Sequence, residues 1–213
     1  MSALRTDIPK PPKRMAKLPI DHRGYPVPKF VWRNPADDQW DFRVVDPGWM
    51  DRCLRFRVCW LCGEKLGSNM VFVVGPMCVV NRASGEPPCH HECAQYAAKA
   101  CPFMVNPDRP RNDKKALPKE GAFNENHLDR NPGATALYIT RSYDWNSRDG
   151  VISMGEPVRI EWWCRGRTAT RAEIDRSIET GLPLLRAVAQ EEGTQALAQL
   201  DKMIERAQPW LPA

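Results

Sequence analysis

The stretch CWLCGEKLGSNMVFVVGPMCVVNRASGEPPCHHECAQYAAKAC, residues 59–101, decides the fold because it contains six of the eight cysteines of the chain. It opens with Cys59 and Cys62 and closes with His90 and Cys93, and two residues separate the members of each pair. This spacing lets two side chains reach one metal ion from a single tight turn, and it is typical of zinc sites. The second pair opens an alanine-rich stretch that predicts a helix, whose first turn places both side chains on one face.

The segment between the two pairs contains two short apolar runs, residues 71–74 and 77–80, on either side of Gly75-Pro76. Short apolar runs around a turn predict the strands of a β-hairpin. A cysteine knuckle, a hairpin and then a helix that carries two further ligands is the order of elements in a treble clef. We therefore predict a treble-clef-like module that binds Zn²⁺. Its predicted ligands are Cys59, Cys62, His90 and Cys93.

The predicted zinc site is structural. Three thiolates and one neutral imidazole leave a Zn²⁺ site with a net negative charge, which the N-terminus of the following helix would stabilise. Four protein ligands complete a tetrahedron and leave no coordination position for water. The ion would therefore contribute folding energy, on the order of 10–16 kcal/mol in small zinc peptides, rather than catalysis.

The sequence itself offers alternative ligands. Cys89 lies four residues before Cys93, on the same helix face, and could replace His90 as the second ligand of this pair. His91 is adjacent to His90 and could replace it. A redox role for the first cysteine pair would need a βαβ context, which the pattern does not show, and a disulfide framework is not expected in a chain of this length without a secretion signal. Two further cysteines are expected in the core: Cys78 and Cys101.

A family resemblance rests on five runs of sequence: GYPVPKFV, FRVVDP, CWLCGEKLG, FVVGPMCVVN and EPPCHHECAQYAAKACPF. In these runs the chain resembles a family of uncharacterised zinc-binding proteins from bacterial genomes and their phages. The resemblance covers roughly residues 20–105 and implies a bacterial or phage intracellular protein. It also supports the pairing of Cys59 and Cys62 with His90 and Cys93. It implies no activity.

Composition indicates a globular chain with a mild basic excess. The 213 residues are enough for one large domain or two small ones, and the formal net charge of +5 permits contact with nucleic acid without requiring it. No apolar run suggests a signal peptide or a membrane span, so that we expect a cytoplasmic protein without a membrane partner.

Changes in composition divide the chain into four segments. Residues 1–20 carry five basic residues, one acidic residue and four prolines, which predicts a flexible, solvated basic arm. Residues 21–105 form the predicted zinc-binding domain, with a hairpin near residues 25–45 and a short helix near residues 49–56. Residues 106–133 are polar and rich in proline and basic residues, which predicts a linker.

Residues 134–213 predict a second unit, in which strands precede helices. Apolar and polar residues alternate near residues 136–140, and two more strand-like runs follow near residues 151–154 and 158–163. This order predicts a small antiparallel sheet that is covered by the C-terminal helices. The fold class of the whole chain is therefore predicted to be α+β.

Three helices are predicted after the strands. Thr170 and Glu173 have the spacing of a capping box, which begins the first helix, and Gly181 is a typical residue just after a helix end. Pro183 is placed near the start of the second helix, and Thr194 caps the third.

Two groups of residues are candidates for binding a partner. The turn between the last strand and the first of these helices carries Trp163, Arg165, Arg167 and Arg171. Tryptophan and arginine dominate binding hot spots, and of two neighbouring tryptophans in a strand one faces the core and the other the surface. The linker adds four basic side chains that could contact phosphate: Arg109, Arg111, Lys114 and Lys115.

These features predict a non-enzymatic, zinc-stabilised binding protein whose partner is nucleic acid or a nucleoprotein complex. One alternative, which rests on the family resemblance, is a phage or mobile-element factor that binds a host protein complex. A second alternative is an HNH-like metal-dependent nuclease, but that chemistry needs a histidine base on the hairpin, and residues 70–82 contain no histidine. The sequence contains neither a glycine-rich phosphate loop nor a nucleophile elbow, so we infer no small-molecule substrate.

Overall fold

The computed structural model describes residues 3–107, 131, 133–146 and 150–211. In these residues the chain combines helices with antiparallel sheets, and the α+β prediction is confirmed. None of the helices in this part of the chain is long and apolar enough to cross a bilayer.

Nine strands form three antiparallel sheets in the described part of the chain. The two-stranded sheet contains β1 (Val31–Arg33) and β2 (Trp40–Val45). The four-stranded sheet has the order β3 (Met70–Val74), β5 (Thr135–Thr140), β8 (Pro157–Cys164), β9 (Arg167–Thr168). The three-stranded sheet has the order β4 (Ala83–Ser84), β7 (Val151–Met154), β6 (Tyr143–Asn146).

Six α-helices accompany these sheets in the described ranges. The first four lie before the segment that is not described: α1 (Pro47–Phe56), α2 (Pro76–Asn81), α3 (His91–Ala100) and α4 (Pro102–Val105). The last two are α5 (Arg171–Glu192) and α6 (Thr194–Ala207). The predicted helix near residues 49–56 and the predicted hairpin near residues 25–45 thus correspond to α1 and to β1–β2.

The four-stranded sheet separates two apolar cores. On β5, Leu137 and Ile139 pack against the cysteine knuckle and α3, whereas Ala136 and Tyr138 face the opposite core. This alternation follows from the period-two geometry of a strand. Because both faces of β5 are covered and both its edges are paired, all six of its residues are buried.

Two of the sheets contain strands from both of the units that we expected, residues 21–105 and residues 134–213. All residues of β3 pair with residues of β5, from Met70 opposite Thr140 to Val74 opposite Ala136. Strand β4 likewise pairs with β7. Strands from both sides of the undescribed segment therefore share two sheets and a common core.

The predicted hairpin over residues 71–80 is wrong in its second half, because Pro76–Asn81 is a helix. Gly75 is the N-cap residue, and Pro76 occupies the first turn, where its missing N–H and fixed φ are favourable. Met77 and Val80 are three positions apart and face the same side of this helix, where they pack against α5 and α6. A short apolar run with helical spacing cannot be told from a strand by hydrophobicity alone.

The C-terminal region contains two helices instead of the predicted three, since α5 continues through Gly181 and Pro183 to Glu192. Its capping box at Thr170 and Glu173 is confirmed. Gly181 does not end the helix. A Cβ at this position would lie 2.9 Å from the Cγ and Sδ atoms of Met77, so glycine allows α5 to approach α2 closely. Tertiary packing has overridden the local stop signal.

The N-terminal segment differs from the expected solvated arm. Met15 and Leu18 are buried in the core that contains the cysteine knuckle. The Arg14 guanidinium lies 2.5 Å from a carboxylate oxygen of Glu64 and 2.7 Å from one of Glu92. Apolar anchors and ion pairs therefore hold this segment against the knuckle and α3.

Candidate metal centre

The first cysteine pair lies on a tight turn that its own backbone closes. Cys59 N–H donates to the Glu64 carbonyl at 2.8 Å, and Gly63 N–H donates to the Cys59 carbonyl at 2.9 Å. Gly63 has a φ of +82°, and a Cβ there would lie 3.1 Å from the indole ring of Trp49. Only glycine combines this conformation with this close approach, which explains its position after the pair.

The knuckle is joined by hydrogen bonds to its neighbours. Lys29 N–H donates to the Leu61 carbonyl at 2.9 Å, and Trp60 N–H donates to the Pro88 carbonyl at 3.1 Å. The ring of Phe30 also stacks on Trp60 at a centroid distance of 4.8 Å. These contacts tie the knuckle to the segment before β1 and to the residues that lead into α3.

The second ligand pair is positioned by β3 and by the start of α3. Cys89 and Val71 exchange two backbone hydrogen bonds of 2.8 and 3.0 Å in an antiparallel bridge. The elements α2 and β4 lie between the two sides of this bridge, which was not part of the predicted hairpin. His90 follows as the N-cap residue of α3, and Cys93 lies in the first turn.

The four predicted ligands come together in one cluster: Cys59, Cys62, His90 and Cys93. Their three sulfur atoms and one imidazole nitrogen lie within 4.8 Å of one another. His90 Nδ1 is 3.3 Å from the Cys62 sulfur and 4.0 Å from the Cys93 sulfur. Cys59 and Cys93 are fully buried, and the cluster could hold one metal ion.

The second nitrogen of His90 fixes the orientation of the ring. Nε2 lies 2.9 Å from the Lys65 carbonyl oxygen, on the knuckle itself. When Nε2–H donates to this carbonyl, Nδ1 is left to face the sulfurs as a neutral ligand atom. Such an outer hydrogen bond is typical of metal-binding histidines. Sequence reasoning missed this contact, because a backbone carbonyl has no residue signature.

Charge is distributed unevenly within the cluster. Hydrogen bonds with Cys62 and then Cys93 lower the pKa of Cys59, whereas the contacts with Cys59 and Cys62 raise the pKa of Cys93. The hydrogen bond with the Cys59 sulfur also raises the pKa of His90 to about 10. A divalent cation bound by these sulfurs and by Nδ1 would replace the protons that the four side chains share.

Two backbone N–H groups also point at the sulfur of Cys59. They belong to Cys62, at 3.5 Å, and to His90, at 3.4 Å. N–H groups that face a sulfur stabilise its thiolate form, and the second of them lies at the N-terminus of α3. This agrees with the expectation that a helix N-terminus supports the anionic cluster.

The alternative ligands lie outside the cluster. The Cys89 thiol donates to the Val71 carbonyl at 3.2 Å, and burial raises its pKa well above the ordinary value. His91 Nε2 lies 2.8 Å from a carboxylate oxygen of Glu161. Neither side chain is aimed at the four donors.

Three other cysteines lie in surroundings that favour the protonated thiol. Burial raises the pKa of Cys53 to about 12, and it also raises the pKa values of Cys78 and Cys101. A buried thiol that stays protonated is a poor nucleophile and a poor metal ligand. The surroundings of these three cysteines, which keep the thiols protonated, therefore distinguish them from the cysteines of the cluster.

Among the candidate partner-binding residues, two arginines form ion pairs and the tryptophan is half-buried. Arg167 pairs with Glu173 through two hydrogen bonds of 2.9 and 2.7 Å, and Arg171 pairs with Asp175 at 2.7 Å. Trp162 is buried and Trp163 is half-buried, with the Lys99 ammonium 5.2 Å from the Trp163 ring centroid.

Trp162 and Trp163 point to opposite faces of the sheet, as expected for a strand, but Trp163 packs against the core that contains the cysteine knuckle rather than facing the surface freely. Carboxylates balance the charge of Arg167 and Arg171. Arg165 is exposed at a left-handed position after β8, with a φ of +53°. The four linker candidates lie outside the described residues: Arg109, Arg111, Lys114 and Lys115.

Comparison with known proteins adds no relative. No family model, no curated protein and no solved structure matches the chain.

Proposed function

We propose that the cluster binds one structural Zn²⁺ ion and that the chain is a non-enzymatic, zinc-stabilised binding protein. The observation that carries the proposal is the convergence of three sulfurs and one imidazole nitrogen within 4.8 Å. Zinc–sulfur bonds of about 2.3 Å and zinc–nitrogen bonds of about 2.0 Å in a tetrahedron separate sulfur from nitrogen by roughly 3.5 Å. The distances of 3.3 and 4.0 Å between His90 Nδ1 and the sulfurs of Cys62 and Cys93 bracket this value.

The donor set supports zinc over other common ions. Thiolate and imidazole ligands suit zinc, whereas magnesium and calcium require oxygen ligands. Four protein ligands also complete the coordination shell, and His91, the nearest other histidine in sequence, is engaged by Glu161. These features favour a stabilising role over the nuclease alternative.

We propose nucleic acid as the partner, bound through phosphate. Lys10, Lys13 and Lys17 are exposed on the segment that Met15 and Leu18 anchor to the core. Within the described part of the chain, none of these three lysines forms an ion pair. A basic segment that is fixed in place loses little entropy when it contacts phosphate, which supports this partner.

The charges around the knuckle also favour phosphate binding by this basic surface. Arg14 pairs with two acidic residues near the cluster, Glu64 and Glu92, and offsets part of their negative charge. Lys29 is exposed and lies against the knuckle, because its N–H donates to the Leu61 carbonyl and its Cγ would lie 3.3 Å from a Cβ at Gly63. We call Lys10, Lys13, Lys17 and Lys29 the knuckle-side lysines.

The zinc proposal is tested by metal content. Protein purified without added metal should contain one equivalent of zinc by atomic emission, and the Cys59→Ser/Cys62→Ser variant should contain less than a tenth of that amount. Cys101→Ser is the matched control, because it also removes a thiol but lies outside the cluster. Absence of stoichiometric metal from the folded wild type would overturn the proposal.

The partner proposal is tested by a salt series. Binding to random duplex and single-stranded DNA should weaken steeply with salt, and Lys13→Ala/Lys17→Ala should reduce the slope of log K against log salt by roughly 1–2. Lys202→Ala/Arg206→Ala on α6 removes the same charge from a different face and should leave the slope unchanged. No binding at low salt would instead favour a host protein complex as the partner.

The nuclease alternative has its own readout. Plasmid incubated with the protein and Mg²⁺, Mn²⁺ or Zn²⁺ should remain supercoiled. Cleavage that His91→Ala abolishes without loss of fold would replace the non-enzymatic proposal.

A further inference from the structure

Strand β8 has an edge that β9 covers only in part. Strand β9 pairs with Trp163 and Cys164, and its last contact is the hydrogen bond from Ala169 N–H to the Trp162 carbonyl at 2.9 Å. The chain then turns away into α5. The preceding part of β8, around Ile160, pairs with β5 on one side, and no strand of the described chain pairs with it on the other. This part of β8 is therefore an open sheet edge.

The backbone of Ile160 directs its hydrogen-bonding groups out of this edge. In an antiparallel ladder, successive residues point their N–H and C=O groups to alternate sides. The Trp162 carbonyl faces β9, so the N–H and C=O groups of Ile160, two residues earlier, face the same side. The register with β5 is regular from Ile160 to Trp163, and no bulge reverses the alternation there. Among the described residues, neither these two groups nor the Trp162 N–H has a hydrogen-bond partner on this side.

A cavity of about 510 Å³ lies at this edge, beside the end of β9. Gln95 of α3 lines it on one face of the sheet, and Ile174 of α5 lines it on the other. Ile160, Glu161 and Ala169 lie between these two walls. The cavity is therefore placed where β9 would run if it continued along β8, and its volume is in the range of binding pockets.

The two faces of the edge differ in chemistry. Ile160 and Trp162 lie on the face of Ile174, and these three apolar side chains belong to one core. Arg159 and Glu161 lie on the face of α3. The Glu161 side chain is 21% exposed and is bound by Arg159 and by side chains of α3, whereas Arg159 is 63% exposed. The accessible charge at this edge is therefore positive.

We propose that β8 binds an extended peptide segment of a partner protein, which adds a strand to the sheet beyond the end of β9. The backbone of the peptide pairs with the open groups of Ile160 and Trp162, and main-chain bonds of this kind give strand addition its affinity. The residue opposite Ile160 is apolar, because its side chain enters the apolar face. The residue opposite Arg159 is acidic, because opposite charges on facing strands attract. This site is separate from the knuckle-side lysines and does not depend on them.

A second copy of the chain does not fit this edge. In each copy β9 occupies the same edge of β8, directly after Trp162. Two copies that paired their β8 edges in antiparallel orientation would therefore bring β9 of each against the start of β8 of the other. The regular part of the open edge ends at Val158, which the register of β8 with β5 skips. Arg159 to Glu161 then span only about 10 Å, which suits a short extended segment.

Amide NMR of the ¹⁵N-labelled protein tests the proposal. In the free protein the Ile160 amide should exchange with solvent faster than the Glu161 amide, which faces β5. The probe is the acetylated and amidated peptide Ser-Thr-Val-Glu-Thr-Gly. Its titration should shift the Ile160 and Trp162 amide resonances and slow exchange at Ile160. The same peptide with its valine N-methylated lacks the N–H that faces the Ile160 carbonyl and should bind about tenfold more weakly.

A charge exchange tests the side-chain preference. Arg159→Glu should weaken binding of the probe about fivefold, and a probe with lysine in place of glutamate should recover that loss on the variant. Lys202→Glu is the matched control, because it makes the same change in charge at an exposed position of α6. Neither Arg159→Glu nor N-methylation of the probe alters a buried residue of the protein, so these tests do not depend on a core substitution.

Four results would overturn the proposal. They are a slowly exchanging Ile160 amide in the free protein, no shift of Ile160 or Trp162 at millimolar probe, equal binding of the N-methylated probe, and self-association that protects the Ile160 amide. The last of these would make a second copy the occupant of the edge.

Discussion

Loss of the proposed zinc ion should destabilise the whole fold rather than one loop. The ligands come from two segments, and Cys62 and His90 are 28 positions apart. Cys59, Cys62 and Cys93 belong to the same buried core as Met70, Leu137 and other residues of the four-stranded sheet. Metal binding is therefore coupled to global folding, and we predict a large stability difference between the wild type and Cys59→Ser/Cys62→Ser.

The magnitude follows from linkage. A site of this kind binds zinc with about 10–16 kcal/mol. At about 10 µM free zinc this leaves roughly 3–9 kcal/mol of stabilisation of the folded state. For a chain of this size, 1 kcal/mol shifts the melting temperature by roughly 2–4 °C, so the double variant should melt at least about 6 °C below the wild type.

Thermal unfolding monitored by circular dichroism in zinc-buffered solution measures this difference. EDTA should lower the melting temperature of the wild type to that of the double variant, which itself should not respond to EDTA. Cys101→Ser should respond to EDTA as the wild type does. A double variant within about 2 °C of the wild type would refute the coupling of the metal to the core.

Three further predictions concern single residues. Met15→Ala should cost about 2–5 kcal/mol in urea unfolding, because Met15 is buried beside the knuckle, and a cost below about 0.5 kcal/mol would mean a solvated segment. The hydrogen bond with Arg167 lowers the pKa of Glu173 to about 2, so this carboxylate stabilises the fold above pH 4.5 and the contribution is lost as the pH falls towards 2. The melting temperatures of the wild type and Glu173→Gln should therefore converge over that range, and parallel curves would contradict the ion pair. His90→Cys should retain one equivalent of zinc, whereas His90→Ala should not; equal metal loss in both would show that position 90 has another function.

The meeting of the two Cys/His pairs in one cluster was predictable, because the spacing within each pair is visible in the sequence. Choosing among Cys89, His90 and His91 was not, because that choice is made by contacts distant in sequence. The backbone bridge to Val71 turns Cys89 away from the knuckle, and Glu161 holds His91. Neither partner is close enough in the chain to leave a local pattern.

The elements that sequence misassigned share a physical cause. The apolar pattern of residues 77–80 is compatible with a strand or a helix, and packing against α5 and α6 stabilises the helix. Gly181 reads as a helix stop, but close contact with Met77 makes it a packing position. The pairing of β3 with β5 joins residues more than sixty positions apart, which periodicity within one window cannot detect.

The shared sheet has a consequence for how this chain could be rearranged. A polypeptide that ended at residue 107 would carry all four residues of the cluster, yet β3 would keep only its single bridge to Cys89 and would expose a buried strand edge. The remainder would have a central strand, β5, with one side uncovered. Each half therefore completes a sheet of the other, and we expect neither half to fold alone.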